Sequence, residues 1–232
     1  MTYKHILVEK KNAYAVVNFQ RASEMNALSK EMRIEFNDAL SRLEEDSDVR
    51  ALVITGGEYV FSAGMDIKEM SLLANTEIDD YFDSMKRYLK KIYTYNKPVI
   101  AAVGGIALGG GFNIVTVCDM VIASESAIFC HPELKFGLNP LYYPLSQIVG
   151  VMKAKEIVML GEPIGANEAL KIGLVNKVMP PEKFMAEAER IAESLAARSV
   201  KAIEELKNIC SVVPRMDKIA AFISDTLKNI GN

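Results

Sequence analysis

Apolar residues recur along the chain in two periods, and the alternation between them sets the expected architecture. Near the start, His5-Ile6-Leu7-Val8 and Tyr14-Ala15-Val16-Val17-Asn18-Phe19 are strand-like runs, so residues 5–10 and 13–19 predict a hairpin turning at Lys11-Asn12. Ser29 stands where an N-cap belongs, ahead of Met32, Ile34, Phe36, Ala39, Leu40 and Leu43, whose spacing predicts a helix closing at Glu44-Glu45-Asp46. Ala51-Leu52-Val53-Ile54-Thr55 and Pro98-Val99-Ile100-Ala101-Ala102-Val103 are continuous apolar runs, the pattern of strands buried on both faces, with a helix expected over residues 77–94 between them. Phe112 to Val117 predicts a further helix and Met120-Val121-Ile122-Ala123 a further strand. From Lys153 onward the pattern is mainly helical, broken by Gly173-Leu174-Val175-Asn176-Lys177-Val178, and Pro180-Pro181 opens the last long helices. Strands separated by helices imply right-handed crossovers and a largely parallel sheet in an α/β fold. Ligands in such folds gather at the carboxyl ends of strands, where Gly56-Gly57 and Gly104-Gly105 fall.

Composition narrows the class. With 232 residues, 50% of them hydrophobic, the chain can bury one large core and carry a helical tail; there is no internal repeat. A net charge of -3 and a pI near 5.6 argue against a general attraction to nucleic acid. The opening Met1-Thr2-Tyr3-Lys4-His5 runs straight into a strand without the apolar stretch of a signal peptide, and no uncharged apolar run reaches about 18 residues. A soluble, cytoplasmic protein with no membrane partner is expected. Cys118, Cys130 and Cys210 are odd in number, share no Cys-x-x-Cys spacing and stand in apolar company, so buried free thiols are expected rather than disulfides or a metal site.

The glycines carry the first hint of chemistry. Gly104-Gly105 and Gly109-Gly110-Gly111 each cost about 0.5–1 kcal/mol of chain entropy relative to alanine in a regular element, and a backbone that must approach a ligand closely is the compensation that suggests itself. Gly111 is followed by Phe112-Asn113 rather than by lysine and serine or threonine, so no phosphate-binding loop of the Walker type is present, and Gly-x-Gly-x-x-Gly does not fit the window. What remains is a helix N-terminus whose free N–H groups suit an oxygen that acquires negative charge, or a tight corner where helix and strand pack.

A second segment, Phe61-Ser62-Ala63-Gly64-Met65-Asp66-Ile67-Lys68-Glu69-Met70, decides between these. With Ala107-Leu108-Gly109-Gly110-Gly111, Gly161-Glu162-Pro163-Ile164 through Ala169, and Gly173-Leu174-Val175, it resembles the enoyl-CoA hydratase/isomerase (crotonase) superfamily, in the expected order from the hairpin to about residue 200. The resemblance implies a spiral of ββα units over residues 1–195 and a helical trimerisation region over 196–232, short or truncated, with the helix containing Ala220, Phe222 and Ile223 followed by Ile230-Gly231-Asn232. It implies a homotrimer or homohexamer acting on acyl-CoA, with coenzyme A as part of the substrate and no separate cofactor. By motif match the backbone N–H groups of Met65 and Gly110 form the oxyanion hole, and Ala63, Gly64, Met65, Asp66, Ile67, Lys68, Gly109, Gly110 and Tyr142 bind the substrate.

Within the family, hydratases use two glutamates, and here the first position is Asn113 while the second is Glu133, in His131-Pro132-Glu133. Asparagine can orient a water but cannot take its proton, whereas moving a double bond from C3 to C2 needs one base beside the oxyanion hole. Phe136 to Leu145 is bulky and apolar where hydratases are glycine-rich, which limits water. Both departures favour a single-glutamate enoyl-CoA isomerase with Glu133 as proton shuttle. A hydratase, a hydrolase or decarboxylase of the same family, and a non-catalytic acyl-CoA binder stay open. Plainer readings stand beside these: Asp66 serving its own loop, His131 as a surface or packing residue, Tyr142 and Tyr143 as pocket wall.

Overall fold

The computed structural model describes residues 2–74 and 77–212. The hairpin forms as β1 (Ile6–Lys10) and β2 (Tyr14–Phe19), antiparallel with Ile6 opposite Phe19. Helix α1 (Lys30–Glu45) starts where Ser29 caps it, its hydroxyl accepting the Met32 N–H at 3.3 Å, and buries Met32, Phe36, Ala39, Leu40 and Leu43. Ile34, expected on that face, is 58% exposed, because it falls on the solvent side of the 3.6-residue turn. The strands β3 (Ala51–Thr55), β5 (Val99–Val103), β7 (Met120–Ser124) and β10 (Lys177–Met179) then pair in parallel beside β2, giving a six-stranded sheet in the order β1-β2-β3-β5-β7-β10.

That sheet is buried on both faces, and alternation along each strand assigns the residues. Leu52 and Ile54 face the larger core with α1, α3 (Ile78–Tyr93) and α4 (Gly110–Val117). Ala51 and Val53 face the other way, onto Phe184, Ala188, Ala192 and Ala196 of α8 (Phe184–Ala196). The four-residue spacing puts one small stripe of α8 against the strands. Helix α9 (Val200–Val212) returns to the amino-terminal end of β7, where the Lys207 ammonium bonds the Asp119 carboxylate. The expected helix around Ala220, Phe222 and Ile223 and the end at Ile230-Gly231-Asn232 lie outside the described residues.

A second, smaller sheet is absent from the sequence reading. It consists of β4 (Val60–Ser62), β6 (Ile106–Leu108), β8 (Ile128–Cys130) and β9 (Ile164–Gly165), in the order β4-β6-β8-β9, parallel except for the last pair. Strands of two or three residues are too short to show a period of two. The thiol expectation needs correction as well: Cys130 is buried, but Cys118 is half-buried and Cys210 exposed. Among the described residues no helix is long and apolar enough to cross a membrane.

Asn26 joins the two sheets. It is fully buried with φ of 51°, a left-handed conformation asparagine tolerates. Its amide donates to the carbonyls of Gly56, after β3, at 3.1 Å and of Val60, in β4, at 2.8 Å, while its oxygen accepts the Arg21 N–H at 2.9 Å. Asn26→Ala takes the side-chain partner from all three half-buried groups, and the unfolding free energy should fall by about 2–4 kcal/mol, read as a lower urea midpoint at unchanged slope.

Candidate active site

Three neighbouring strands of the small sheet each deliver one part of the site at their carboxyl ends. β4 runs into Ala63–Lys68, β6 into Gly109 and α4, and β8 into His131 and Glu133. Parallel pairing is what gathers them: Ser62 pairs with Ala107, Leu108 with Cys130, and the Gly109 N–H donates to the Cys130 carbonyl at 2.9 Å.

The first turn after β4 is tied by Ser62, fully buried, whose hydroxyl donates to the Asn26 carbonyl at 2.8 Å and accepts the Gly64 N–H at 3.1 Å. Gly64 adopts φ of +91°, and a Cβ there would sit 2.9 Å from the Gly110 nitrogen. A Cβ on Gly110 would in turn lie 3.4 Å from the Met65 nitrogen. The two amides therefore stand side by side. Met65 is held by a bridge to Leu28, and Gly110 is the first residue of α4, whose N–H has no intrahelical acceptor. Among the described residues neither N–H has a backbone acceptor.

Glu133 faces this pair. It opens a short 3-10 helix (Glu133–Phe136), and its side chain is 13% exposed. A Cβ on Gly109, where φ is +48°, would lie 3.4 Å from Glu133 Oε1, so the carboxylate rests against the glycine next to Gly110. His131 is completely buried, not a surface residue; its Nδ1 is 3.2 Å from both Glu133 oxygens and its ring lies 4.4 Å from that of Phe112. Asn113 sits one turn into α4, buried, its carbonyl accepting the Thr116 hydroxyl at 2.9 Å and its side-chain Oδ1 without a partner among the described residues. Cys130 donates its thiol to the Gly161 carbonyl at 3.4 Å, and burial first, then the Glu133 charge, raise its pKa, so it stays a protonated thiol rather than a nucleophile.

Ala63, Met65, Asp66, Ile67 and Lys68 line one cavity of about 570 Å³, together with Arg21, Met25 and Ala27. Asp66 caps α2 (Ile67–Met70), accepting the Glu69 N–H at 3.2 Å, and pairs with Arg21 at 3.2 Å. Glu69 accepts the Lys30 N–H at 3.0 Å and meets the buried Arg33 at 3.4 Å, whose guanidinium stacks 4.1 Å over the Tyr81 ring. The cavity wall is thereby clamped to α1 and α3. Tyr142 stands apart from this group: it begins α5 (Tyr142–Val149), and its hydroxyl donates to the Val151 carbonyl at 3.2 Å. Arg21, Met25 and Ala27 escaped the sequence reading because they lie about 40 residues from the motif they meet. For His131 the signal was its two-residue spacing from Glu133 at a strand exit.

Two adjacent main-chain donors opposed by a single carboxylate form a site for holding a carbonyl oxygen while a proton moves beside it. The family described as enoyl-CoA hydratase/isomerase matches residues 9–226. A probable mitochondrial enoyl-CoA hydratase of Dictyostelium discoideum is 41% identical over 82% of this chain and 69% of its own. The short-chain-enoyl-CoA hydratase of Clostridium acetobutylicum is 37% identical over 88% of this chain and 80% of its own. The crystal structure of an enoyl-CoA hydratase/isomerase from Xanthobacter autotrophicus Py2 superposes with a TM-score of 0.91 at 33% identity, covering 98% of this chain and 86% of that one. This chain is an enzyme of the enoyl-CoA hydratase/isomerase family and has its α/β crotonase fold. The isomerase branch expected from Asn113 and the segment 136–145 is not the one the Dictyostelium and Clostridium relatives are named for; those two are named hydratases.

Gly64→Ala should push the two amide-bearing segments apart, since backbone rather than a movable side chain faces the new methyl. Turnover of an acyl-CoA substrate is expected to fall about a hundredfold or more in a variant that still gives a native far-UV spectrum; unchanged turnover would show that the amides do not act together.

Proposed function

We propose that the protein hydrates a 2-enoyl-CoA thioester to the 3-hydroxyacyl thioester. The thioester oxygen accepts from the Met65 and Gly110 N–H groups. Water attacks C3 and gives its proton to the Glu133 carboxylate, while the double-bond electrons move to the thioester oxygen as an enolate. Glu133 then returns a proton to C2 and the enolate collapses, so that one molecule of water is added and the base is regenerated. Asn113, with an unpartnered Oδ1, holds the water that a second glutamate would otherwise hold. The observation that carries enolate chemistry is the carboxylate lying against Gly109, one residue from the Gly110 donor. Hydration is supported over other enolate reactions by the hydratase names of relatives in Dictyostelium and Clostridium.

The segment Ala63–Lys68 is assigned to coenzyme A because most of it, from Ala63 to the surface-exposed Lys68, lines one cavity beside Met65. Tyr142 belongs to the acyl wall through its ring rather than its hydroxyl. Residues 196–232 are assigned to trimer or hexamer contacts, in keeping with the exposed Leu206 and Ile209 of α9.

Asn113 itself favours a second reading, isomerisation of a 3-enoyl thioester with Glu133 alone moving a proton from C2 to C4. Crotonyl-CoA loss and trans-3-hexenoyl-CoA conjugation, followed side by side, separate the two. Hydration is expected from the wild type, with Glu133→Gln lowering it by about 10²–10⁴ and Asn113→Leu by about ten- to a hundredfold. Conjugation without hydration, insensitive to Asn113→Leu, would replace the hydratase reading with the isomerase one.

A further inference from the structure

We infer that His131 is a positioning residue for the candidate base, its neutral imidazole sharing one Nδ1–H between the two oxygens of Glu133 and so fixing the plane of that carboxylate. The inference rests on the assignment of Glu133 as the proton-handling group. Three observations carry it.

The first is distance: Nδ1 stands 3.2 Å from Oε1 and 3.2 Å from Oε2, equidistant within a bifurcated hydrogen bond. A carboxylate gripped at one oxygen can swing about its terminal bond, whereas one facing a donor midway between its oxygens is held in both directions. The second is burial of the ring. His131 has no exposed surface, its imidazole stacks on Phe112 at 4.4 Å and 32°, and its own carbonyl lies against Gly161, where a Cβ would come within 3.0 Å. The donor cannot drift, and the helix that begins with Gly110 supplies the Phe112 ring that aims it. Base and oxyanion donor are thus registered to one another through a single rigid element.

The third observation is the fate of the far nitrogen. Nε2 is buried with no partner among the described residues. An imidazolium, or the neutral tautomer protonated at Nε2, would bury an N–H with nothing to accept it, and the former would bury charge as well. The Nδ1–H tautomer leaves only an acceptor lone pair at that place, the less costly orphan. It also puts the one ring N–H at Nδ1, where both Glu133 oxygens are in reach.

The test uses the full chain and a readout common to every enolate reaction, exchange of the C2 hydrogens of butanoyl-CoA for deuterium followed by NMR, with kcat and KM for crotonyl-CoA or trans-3-hexenoyl-CoA, whichever the wild type turns over. His131→Leu removes the donor and keeps an apolar filling against Phe112; His131→Asn keeps an N–H near the Nδ1 position. His131→Met replaces leucine if that variant does not fold. Exchange and kcat are expected to fall about ten- to a hundredfold in the donor-less variant at unchanged KM, to recover to within about threefold in the asparagine variant, and to show no further loss when His131→Leu is added to Glu133→Gln. A donor-less variant with wild-type exchange, or asparagine as impaired as leucine, overturns the inference while leaving Glu133 in place. Full exchange in Glu133→Gln, or none in the wild type, removes the Glu133 assignment and the inference with it.

Discussion

The active region depends on the close approach of two stretches of main chain, Ser62–Met65 and Gly109–Gly111, where the glycines leave no room for a further side chain. A methyl on Gly111 would meet the Ser62 carbonyl at 2.4 Å and one on Gly64 the Leu108 carbonyl at 2.8 Å. Because the segments touch through backbone, the N–H groups of Met65 and Gly110 come to one place, one at a turn after a strand and the other at a helix start. Both are groups the regular ladders leave unsatisfied, and an unsatisfied donor held beside another is costly unless water or a ligand oxygen accepts from it. The same constraint that makes the corner tight suits it to the proposed role of receiving a thioester carbonyl oxygen.

Such a corner would open if the segment after β4 were free, and buried polar side chains hold it closed. Ser62 and Asn26 secure the turn from inside, while Arg33, Glu69, Arg21 and Asp66 secure the following α2 from outside. Arg33 is 1% exposed, and its stacking on Tyr81 with bonds to Ser84 and the Leu28 carbonyl repays the desolvation that an isolated buried guanidinium would suffer. Removing one member would therefore cost more than the pair adds, since the other charge would remain buried. Rigidity at the donors is the functional return: a preorganised donor need not reorganise as charge develops on the bound oxygen.

A single carboxylate opposite these donors limits and defines the chemistry. Glu133 is neither sunk in the core nor freely solvated; it is sheltered by Gly109 on one side and His131 on the other. Its counterpart position on α4 holds an amide, which can bond water through oxygen or nitrogen but cannot carry a proton away. In the proposed hydration one group serves as base and acid in turn, which makes its orientation relative to C2 and to the water more consequential than in a site with two carboxylates. On that reading a buried histidine two residues upstream, which holds the plane of the carboxylate, bears on function.

Much of this was legible in one dimension. The long strands β3 and β5 showed as unbroken apolar runs because both faces are covered, α1 showed by its cap and spacing, and the glycine triplet showed as a place of close main-chain approach, while Ser62-Ala63-Gly64-Met65 stood out only through its resemblance to the family motif. The small sheet was not legible, since strands of three residues or fewer carry no period and owe their existence to neighbours brought by the chain's crossovers. Nor could adjacency in sequence tell whether His131 lay on the surface or beneath Phe112, or that Arg21 would meet Asp66. The sequence by itself determined where glycines permit unusual backbone shapes and which long apolar runs would be buried; the tertiary structure decided which segments meet and which single side chains lie beneath them, because contacts between β4, β6 and β8 join residues far apart along the chain.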